Sequence, residues 1–333
     1  METVITLDHG SGGRKTAQLI QEMILPLMHN AALAPLGDGA VVDGAEKLVF
    51  STDSFVVAPY FFPGGDIGKL AVCGTVNDLA MAGGMPKYLS LGLILEEGLP
   101  LAHLERILKS IAETARQAGV AVVTGDTKVV ERGKGDGIYI NTSGVGYLKT
   151  PGLAAANIRP GDRVILSGTA GDHGAAIMLA RHAGLAEGEI SSDCALLHEA
   201  ALALGELGSG LRVMRDPTRG GVATALNEFA EDSGLCIELD EACIPLSPAV
   251  EGACELLGLD PLYCACEGKI LAVVAAEHAE EALEILRSFP VGKEAAEIGV
   301  VTQNHPGRLV VRTAFGGSRI AGKLAGAQLP RIC

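Results

Sequence analysis

Apolar positions along the chain follow two rhythms. Short runs rich in Val, Ile and Leu alternate with longer stretches in which apolar residues recur every third or fourth position, the patterning of mixed α and β layers. The spacing predicts strand pieces at 48–50 and 55–57, flanking the polar segment Ser51-Thr52-Asp53-Ser54. Residues 67–82 read as a mostly apolar helix, stopped by Gly83-Gly84 with Pro86 beyond. A strand is expected over 88–95. Leu104, Ile107, Leu108, Ile111 and Ala115 then mark one face of an amphipathic helix over 101–118, closed by Gly119. Residues 120–123 begin a strand that runs into Thr124-Gly125-Asp126-Thr127, and 138–147 form another.

Thr150-Pro151-Gly152 is a natural boundary. Beyond it the pattern predicts a strand at 162–167, a glycine-rich turn at 168–174 and a helix from His173 to 182. A turn over 216–221, a helix over 222–232, a buried strand at 269–275 and a helix over 277–288 follow. The halves share a rhythm but no sequence repeat. Residues 322–333 carry no period, and Gly326 and Pro330 suggest a mobile tail. The expected fold is mixed α/β. Its parts are a glycine-rich segment and helix over 1–36, a first domain over 37–150, a second over 151–321 and the tail.

Composition narrows the function. At 333 residues the chain exceeds one core of ordinary size, which agrees with two domains. The net charge is −14, there is no dense Lys/Arg run, and aromatics make up only 4%. A phosphate-neutralising or base-stacking nucleic-acid binder is therefore set aside. No basic and apolar leader opens the chain, and apolar runs such as 87–95 fall far short of the roughly 20 residues that span a bilayer. Eight scattered cysteines read as reduced thiols, so a cytoplasmic protein without a membrane role is expected.

Candidate chemistry begins with Asp38, Asp53, Asp66, Asp78 and Asp126, each beside Gly, Thr or Asn at a turn or element end. Such carboxylates either cap and turn the backbone or converge on Mg²⁺ shared with nucleotide phosphates. Familiar nucleotide loops are missing: Gly64-Gly65-Asp66-Ile67-Gly68-Lys69-Leu70 has short spacing and no Ser or Thr after its lysine. Gly144-Val145-Gly146 lacks a third glycine. His9-Gly10-Ser11-Gly12-Gly13 is read first as a frayed end and second as a stretch that folds over phosphates. Cys264-Ala265-Cys266 has no second pair for zinc. Cys333 is the last residue, too late for a prenylation box. A terminal thiol on a mobile tail can be delivered into a pocket, since ten extended residues reach roughly 33 Å.

Several segments together resemble the HypE family of hydrogenase maturation proteins. They are Ser51–Ser54, Phe61-Phe62-Pro63-Gly64-Gly65-Asp66-Ile67-Gly68-Lys69-Leu70, Gly74-Thr75-Val76-Asn77-Asp78-Leu79-Ala80 and Thr124-Gly125-Asp126-Thr127-Lys128-Val129-Val130. Asp216-Pro217-Thr218-Arg219-Gly220-Gly221-Val222 and the ending Pro330-Arg331-Ile332-Cys333 complete the set. The middle motifs are shared with aminoimidazole ribonucleotide synthetase and selenophosphate synthetase, whereas the ending is specific to HypE.

The resemblance implies a PurM-like pair of α/β domains, an ATP site in the first, and a homodimer formed through it. It further implies that the carbamoyltransferase HypF loads a carbamoyl group onto the terminal thiol. ATP-dependent dehydration gives a thiocyanate, whose cyano group passes to iron held by HypC and HypD. On this resemblance Asp38, Asp53, Asp78 and Asp126 are assigned to Mg-ATP, with Asp66, Lys69, Asn77, Gly125 and Thr127 as further nucleotide contacts. Cys333 is the substrate carrier, and Lys128 and Glu267 position and deprotonate the carboxamide. ATP binding is expected to draw the loaded tail inward. Two departures stand out: Gly37-Asp38-Gly39-Ala40 occurs where the superfamily often has paired acids, and Cys266 occurs where Asn is expected before Glu267. Selenophosphate synthesis fits less well, because residues 1–30 contain no Cys. A non-catalytic carrier is the alternative outside enzymology.

Overall fold

The computed structural model describes residues 3–37, 39–182, 190–324, 326, 329 and 331–333. The first half folds as β1 (Leu48–Phe55), helix α1 (Ile67–Met81), β2 (Gly84–Glu96), α2 (Leu101–Gln117), β3 (Ala121–Val130) and β4 (Ile138–Leu148). Its sheet has the order β1-β4-β2-β3; only β2 and β3 run parallel. The right-sized apolar face of α2, including Leu104, Ile107, Leu108 and Ile111, is buried as its periodicity predicts.

The polar stretch 51–54 does not interrupt β1. All eight residues pair with β4, Ser51 opposite Gly144 and Asp53 opposite Thr142. Polar residues are tolerated because the strand lies at the sheet edge and alternate side chains remain half-exposed. The outcome matters for chemistry: period-two alternation sends Ser51 and Asp53 towards α1 and leaves Thr52 and Ser54 facing away.

Helix α1 is apolar on all sides because it is packed on all sides. It lies between the first sheet, α2 and the second half of the chain. Asp66 starts it, accepting hydrogen bonds from the Gly68 and Lys69 amides at 2.8 and 3.0 Å. Gly83 ends the turn after it with φ +80°, and a Cβ there would lie 2.1 Å from the Thr150 carbonyl oxygen. Only glycine fits.

The second half contains β5 (Arg163–Leu166), α3 (Asp172–Arg181), α4 (His198–Leu204), β6 (Leu211–Arg215), α5 (Gly221–Ser233), β7 (Cys236–Asp240) and α6 (Pro248–Leu257). β8 (Leu271–Val274), α7 (Ala279–Arg287), β9 (Ala296–Thr302), β10 (Leu309–Arg312) and β11 (Ser318–Ile320) follow. They form a seven-stranded sheet, β11-β10-β7-β9-β5-β8-β6, parallel only between β10 and β7. The fold is thus mixed, with mainly antiparallel sheets backed by helices.

The N-terminus is docked rather than frayed. Ile5 is fully buried and exchanges backbone hydrogen bonds with Leu99 and Gly98 at 2.8 Å each. His9 is buried within a short 3₁₀ turn. The two halves meet across one continuous apolar cluster that joins α1 residues to Ala175, Ile177, Cys194 and Cys264. At this seam Asn77 donates to the Ala195 carbonyl at 3.0 Å and accepts from the Leu197 amide at 2.9 Å, while only 1% exposed. Asn77→Ala would leave both backbone groups buried and unpaired, a loss of about 2–4 kcal/mol. Denaturant unfolding should show that loss; unchanged stability with weakened ATP binding would instead make Asn77 a nucleotide contact.

Candidate active site

Four carboxyl groups from separate elements gather at the seam. Asp53 comes from β1 and Asp78 from α1, where Ser51 donates a 2.8 Å hydrogen bond to Asp78 Oδ2. Asp216 opens the turn after β6 and is 5% exposed. The Cys266 amide bonds the Pro217 carbonyl at 3.0 Å, which sets Glu267 beside that turn. Glu267 is 2% exposed, and its Oε1 has no hydrogen-bond partner.

This environment strongly disfavours negative charge. Burial, with Asp216, Asp193 and Asp53 nearby, pushes the Glu267 carboxyl well above its usual range. Burial, followed by repulsion from Asp78, lifts Asp216 to about 7. Asp78 is raised too, by burial first, although the Ser51 hydroxyl opposes the shift. A cation or a proton is what such a cluster lacks.

The tail ends at this cluster. The Val56 amide donates to the Cys333 carbonyl at 3.1 Å, and the Ala58 amide to the Arg331 carbonyl at 3.4 Å. The Arg331 guanidinium returns to the Val56 carbonyl at 3.0 and 3.2 Å and pairs with Asp136. Ile332 is 3% exposed, and Cys333 packs against the shared core. Burial, with Glu267 and Asp53 nearby and Arg219 opposing, pushes the Cys333 thiol up to about 12. In this seat the sulfur is a neutral thiol and a poor nucleophile.

The other sequence-derived candidates divide. Asp38 lies outside the described residues. Asp66 spends its carboxylate on the α1 cap, Lys69 Nζ bonds the Gly64 carbonyl at 3.1 Å, and Asn77 bridges the halves. Asp126 and Lys128 form an exposed ion pair of 2.7 Å on β3, which holds the Asp126 carboxyl below its usual value. With Gly125 and Thr127 they line a cavity of ≈ 200 Å³ against Gly10, Gly12 and Thr16. Gly125 is required there, since a Cβ would meet the Leu91 carbonyl oxygen at 2.5 Å. The register runs Asp53, Thr142, Leu91, Gly125 across the sheet, so three strand spacings separate the two groups. That is about 14 Å. Within one chain, Lys128 and Glu267 are not brought together.

Sequence reasoning gave no role to Asp216, Arg219, Asp193 or His173. Asp216 and Arg219 stood in the Asp216–Val222 motif, and His173 in the glycine-rich turn; those were the available signals. Asp193 accepts the Glu267 amide at 3.0 Å, a contact no local pattern announces.

Comparison with known proteins identifies the family. The AIR synthase related N-terminal domain matches residues 36–148, and the corresponding C-terminal domain matches 159–312. A Cupriavidus necator protein named carbamoyl dehydratase HypE is 51% identical, over 99% of this chain and 95% of that protein. The chain belongs to the HypE family. A crystal structure of a HypE in complex with ATP superposes with a TM-score of 0.95 at 46% identity, covering 98% of this chain and 99% of that one. A HypE from a HypE–HypF complex gives a TM-score of 0.81 at 46% identity, covering 92% and 99%. The HypE-family fold, including the PurM-like pairing of two AIR synthase related domains, is therefore the fold of this chain.

The raised acids give a pH test. Unfolded, Asp216 loses its proton near the ordinary 3.8; folded, it does so near 7. Between those values the folded state binds more protons, so this group's contribution to stability falls as pH rises and levels off above about 7. In chelator-treated protein, Asp216→Asn should therefore gain melting temperature over the parent progressively from pH 5 to pH 8. A constant difference across that range would contradict the buried, protonated acid.

Proposed function

We propose that this chain is an ATP-dependent carbamoyl dehydratase acting on its own C-terminus, converting an S-carbamoyl group on Cys333 to a thiocyanate. The observation that carries the reading is the seating of Cys333 beside Glu267 and the Asp53–Asp78–Asp216 cluster. An amide oxygen is a poor leaving group. Transfer of the γ-phosphoryl group of ATP to that oxygen, with loss of one of the two nitrogen protons to solvent, releases ADP and gives an S-bound imino-phosphate. The nitrogen then gives up its remaining proton, the C–O bond breaks, inorganic phosphate departs and C≡N forms.

Each side chain has a task in this sequence. Backbone bonds to Val56 and Ala58 hold the tail, so the reacting carbon is tethered and little orientational freedom remains to be lost. Glu267 takes the nitrogen proton. Burial beside Asp216, Asp193 and Asp53 favours its protonated form, so it serves as base once a cation among those acids would let it ionise; its unpartnered Oε1 then receives the proton. Arg219, the cation that opposes the rise of the thiol, faces the charge that develops on the transferring group.

Asp53 and Asp78, with Asp38, are the proposed Mg²⁺ ligands. No group of three or more His, Cys, Asp or Glu among the described residues forms a metal cage. Mg²⁺ with a nucleotide needs only one or two carboxylates besides phosphate oxygens and water, and an all-oxygen, electron-rich donor set suits it. Bound there with ATP, it would offset phosphate charge during phosphoryl transfer.

Asp126, Lys128, Gly125 and Thr127 are proposed to serve the same reaction through a homodimer. One face of the first sheet is uncovered and carries Leu48, Phe50 and Ile94, 53%, 68% and 44% exposed. A second copy packed on that face would hide these apolar groups, and a site shared by two copies would reconcile the distance between Lys128 and Glu267. HypF is the proposed donor of the carbamoyl group, and the HypC–HypD complex the acceptor of the cyano group. Eight free cysteines suit the reducing cytoplasm, and no helix of the described residues is long and apolar enough to cross a membrane.

The test is the mass of the tail peptide after incubation with HypF, carbamoyl phosphate and ATP. The expected result is the gain of one carbamoyl group followed by loss of one water, with both changes absent in Cys333→Ala. A carbamoylated tail that never loses water, with no ATP consumed by this chain, would make it a carrier only.

A further inference from the structure

The start of α3 presents a side chain that the reaction scheme leaves unused. His173, second residue of α3, is fully buried. Its Nε2 lies 2.6 Å from the carbonyl oxygen of Ile332, the residue before Cys333. Its Nδ1 lies 2.7 Å from Ser192 Oγ, and the ring meets Phe62 edge-on at 5.6 Å between centroids. We propose that His173 is a positioning residue, the latch that holds the tail docked by gripping the backbone one residue ahead of the reacting thiol.

The partners define the proton arrangement. A carbonyl oxygen only accepts, so Nε2 carries the proton and donates it to Ile332. Nδ1 then accepts from the Ser192 hydroxyl, whose oxygen in turn accepts the Cys194 amide at 3.1 Å. The chain of donors runs one way, into the tail. The ring must be neutral to do this, and burial holds its pKa below the ordinary value. Asp193 favours the charged ring and Arg181 opposes it.

The same mount carries the proposed base. Lys269 Nζ lies 3.3 Å from Asp172, the neighbour of His173, and 3.1 Å from Asp193, the neighbour of Ser192. Asp193 Oδ1 accepts the Glu267 amide at 3.0 Å. A single buried ammonium therefore fixes both ends of the latch and the backbone of Glu267. The latch reads a main-chain carbonyl, so its grip is the same whether Cys333 carries a thiol, a carboxamide or a thiocyanate. His173 thus sets the docked fraction of the tail without selecting its cargo.

The inference rests on the dehydratase reading but is measured apart from it. A docked thiol, pushed up to about 12, reacts negligibly with iodoacetamide, so the alkylation rate of Cys333 counts the undocked tail. The rate is read on the full-length protein from the 324–333 peptide released by cleavage after Lys323. His173→Ala should raise it about tenfold, the effect of losing one charge-neutral hydrogen bond. His173→Gln, whose side-chain amide still donates at similar reach, should stay within about threefold of the parent. With HypF, carbamoyl phosphate and ATP, His173→Ala should still be loaded but lose water about tenfold more slowly, with the KM for ATP unchanged. Should His173→Ala not fold, Ser192→Ala, which removes the support of Nδ1 alone, is expected to raise alkylation severalfold. Alkylation at the parent rate in the folded Ala variants, or equal acceleration by Gln and Ala, overturns the latch. Alkylation as expected but no thiocyanate from the parent leaves the latch standing and overturns the dehydratase reading.

Discussion

Burial of a carboxyl group with one unpartnered oxygen at the seam of two domains is the constraint around which this molecule is organised. Glu267 sits in a dry position with three other acids near it, an arrangement that costs stability unless a proton or a cation answers it. The fold tolerates that cost because the seam is otherwise tightly made. Helix α1 is packed on every side, Asn77 staples it to the second half, and Lys269 with Asp172 and Asp193 holds the loops behind the acid. Acids so raised give up their protons when a cation enters among them, which ties their basicity to what is bound there.

The tail fits the same logic. A cysteine pushed up to about 12 when docked is a weak nucleophile, whereas the proposed loading needs its sulfur to attack a carbamoyl donor. On the proposed function, loading and dehydration call for different tail positions. On that proposal the tail is loaded undocked, away from the burial that raises the thiol, and brings its group to Glu267 when docked. Backbone hydrogen bonds to Val56 and Ala58, the Arg331 contacts with Val56 and Asp136, the Arg181 bond to the Arg331 carbonyl and the bond from His173 together separate the two states.

Much of the fold was legible in sequence, because α1 and α2 announce themselves by apolar spacing and by Asp66 and Gly83 at their ends. The family was legible in short motifs and in the terminal cysteine. What period and propensity missed was β1, where Ser51–Ser54 read as a break: polar residues in an edge strand look like a turn until their pairing partners are known. The docked N-terminus was missed because its partner, Leu99, lies far along the chain. Site assignment divided for a similar reason. Motif matching names Asp66 and Asp53 alike, yet one caps a helix and the other faces the tail, a distinction made by tertiary contacts. His173 and Asp193 act through partners more than a hundred and more than seventy residues away, as the separations of 159 and 74 show, and no local pattern carries such information.

The central claim is that phosphoryl transfer to the carboxamide oxygen drives the loss of water. Tracing that oxygen tests it most directly. The tail is loaded with a carbamoyl group carrying a heavy oxygen isotope, given ATP for a single turnover, and the released inorganic phosphate is analysed by mass. The account predicts one heavy oxygen in each phosphate formed with a thiocyanate. Unlabelled phosphate, with the heavy oxygen lost to water, would contradict it.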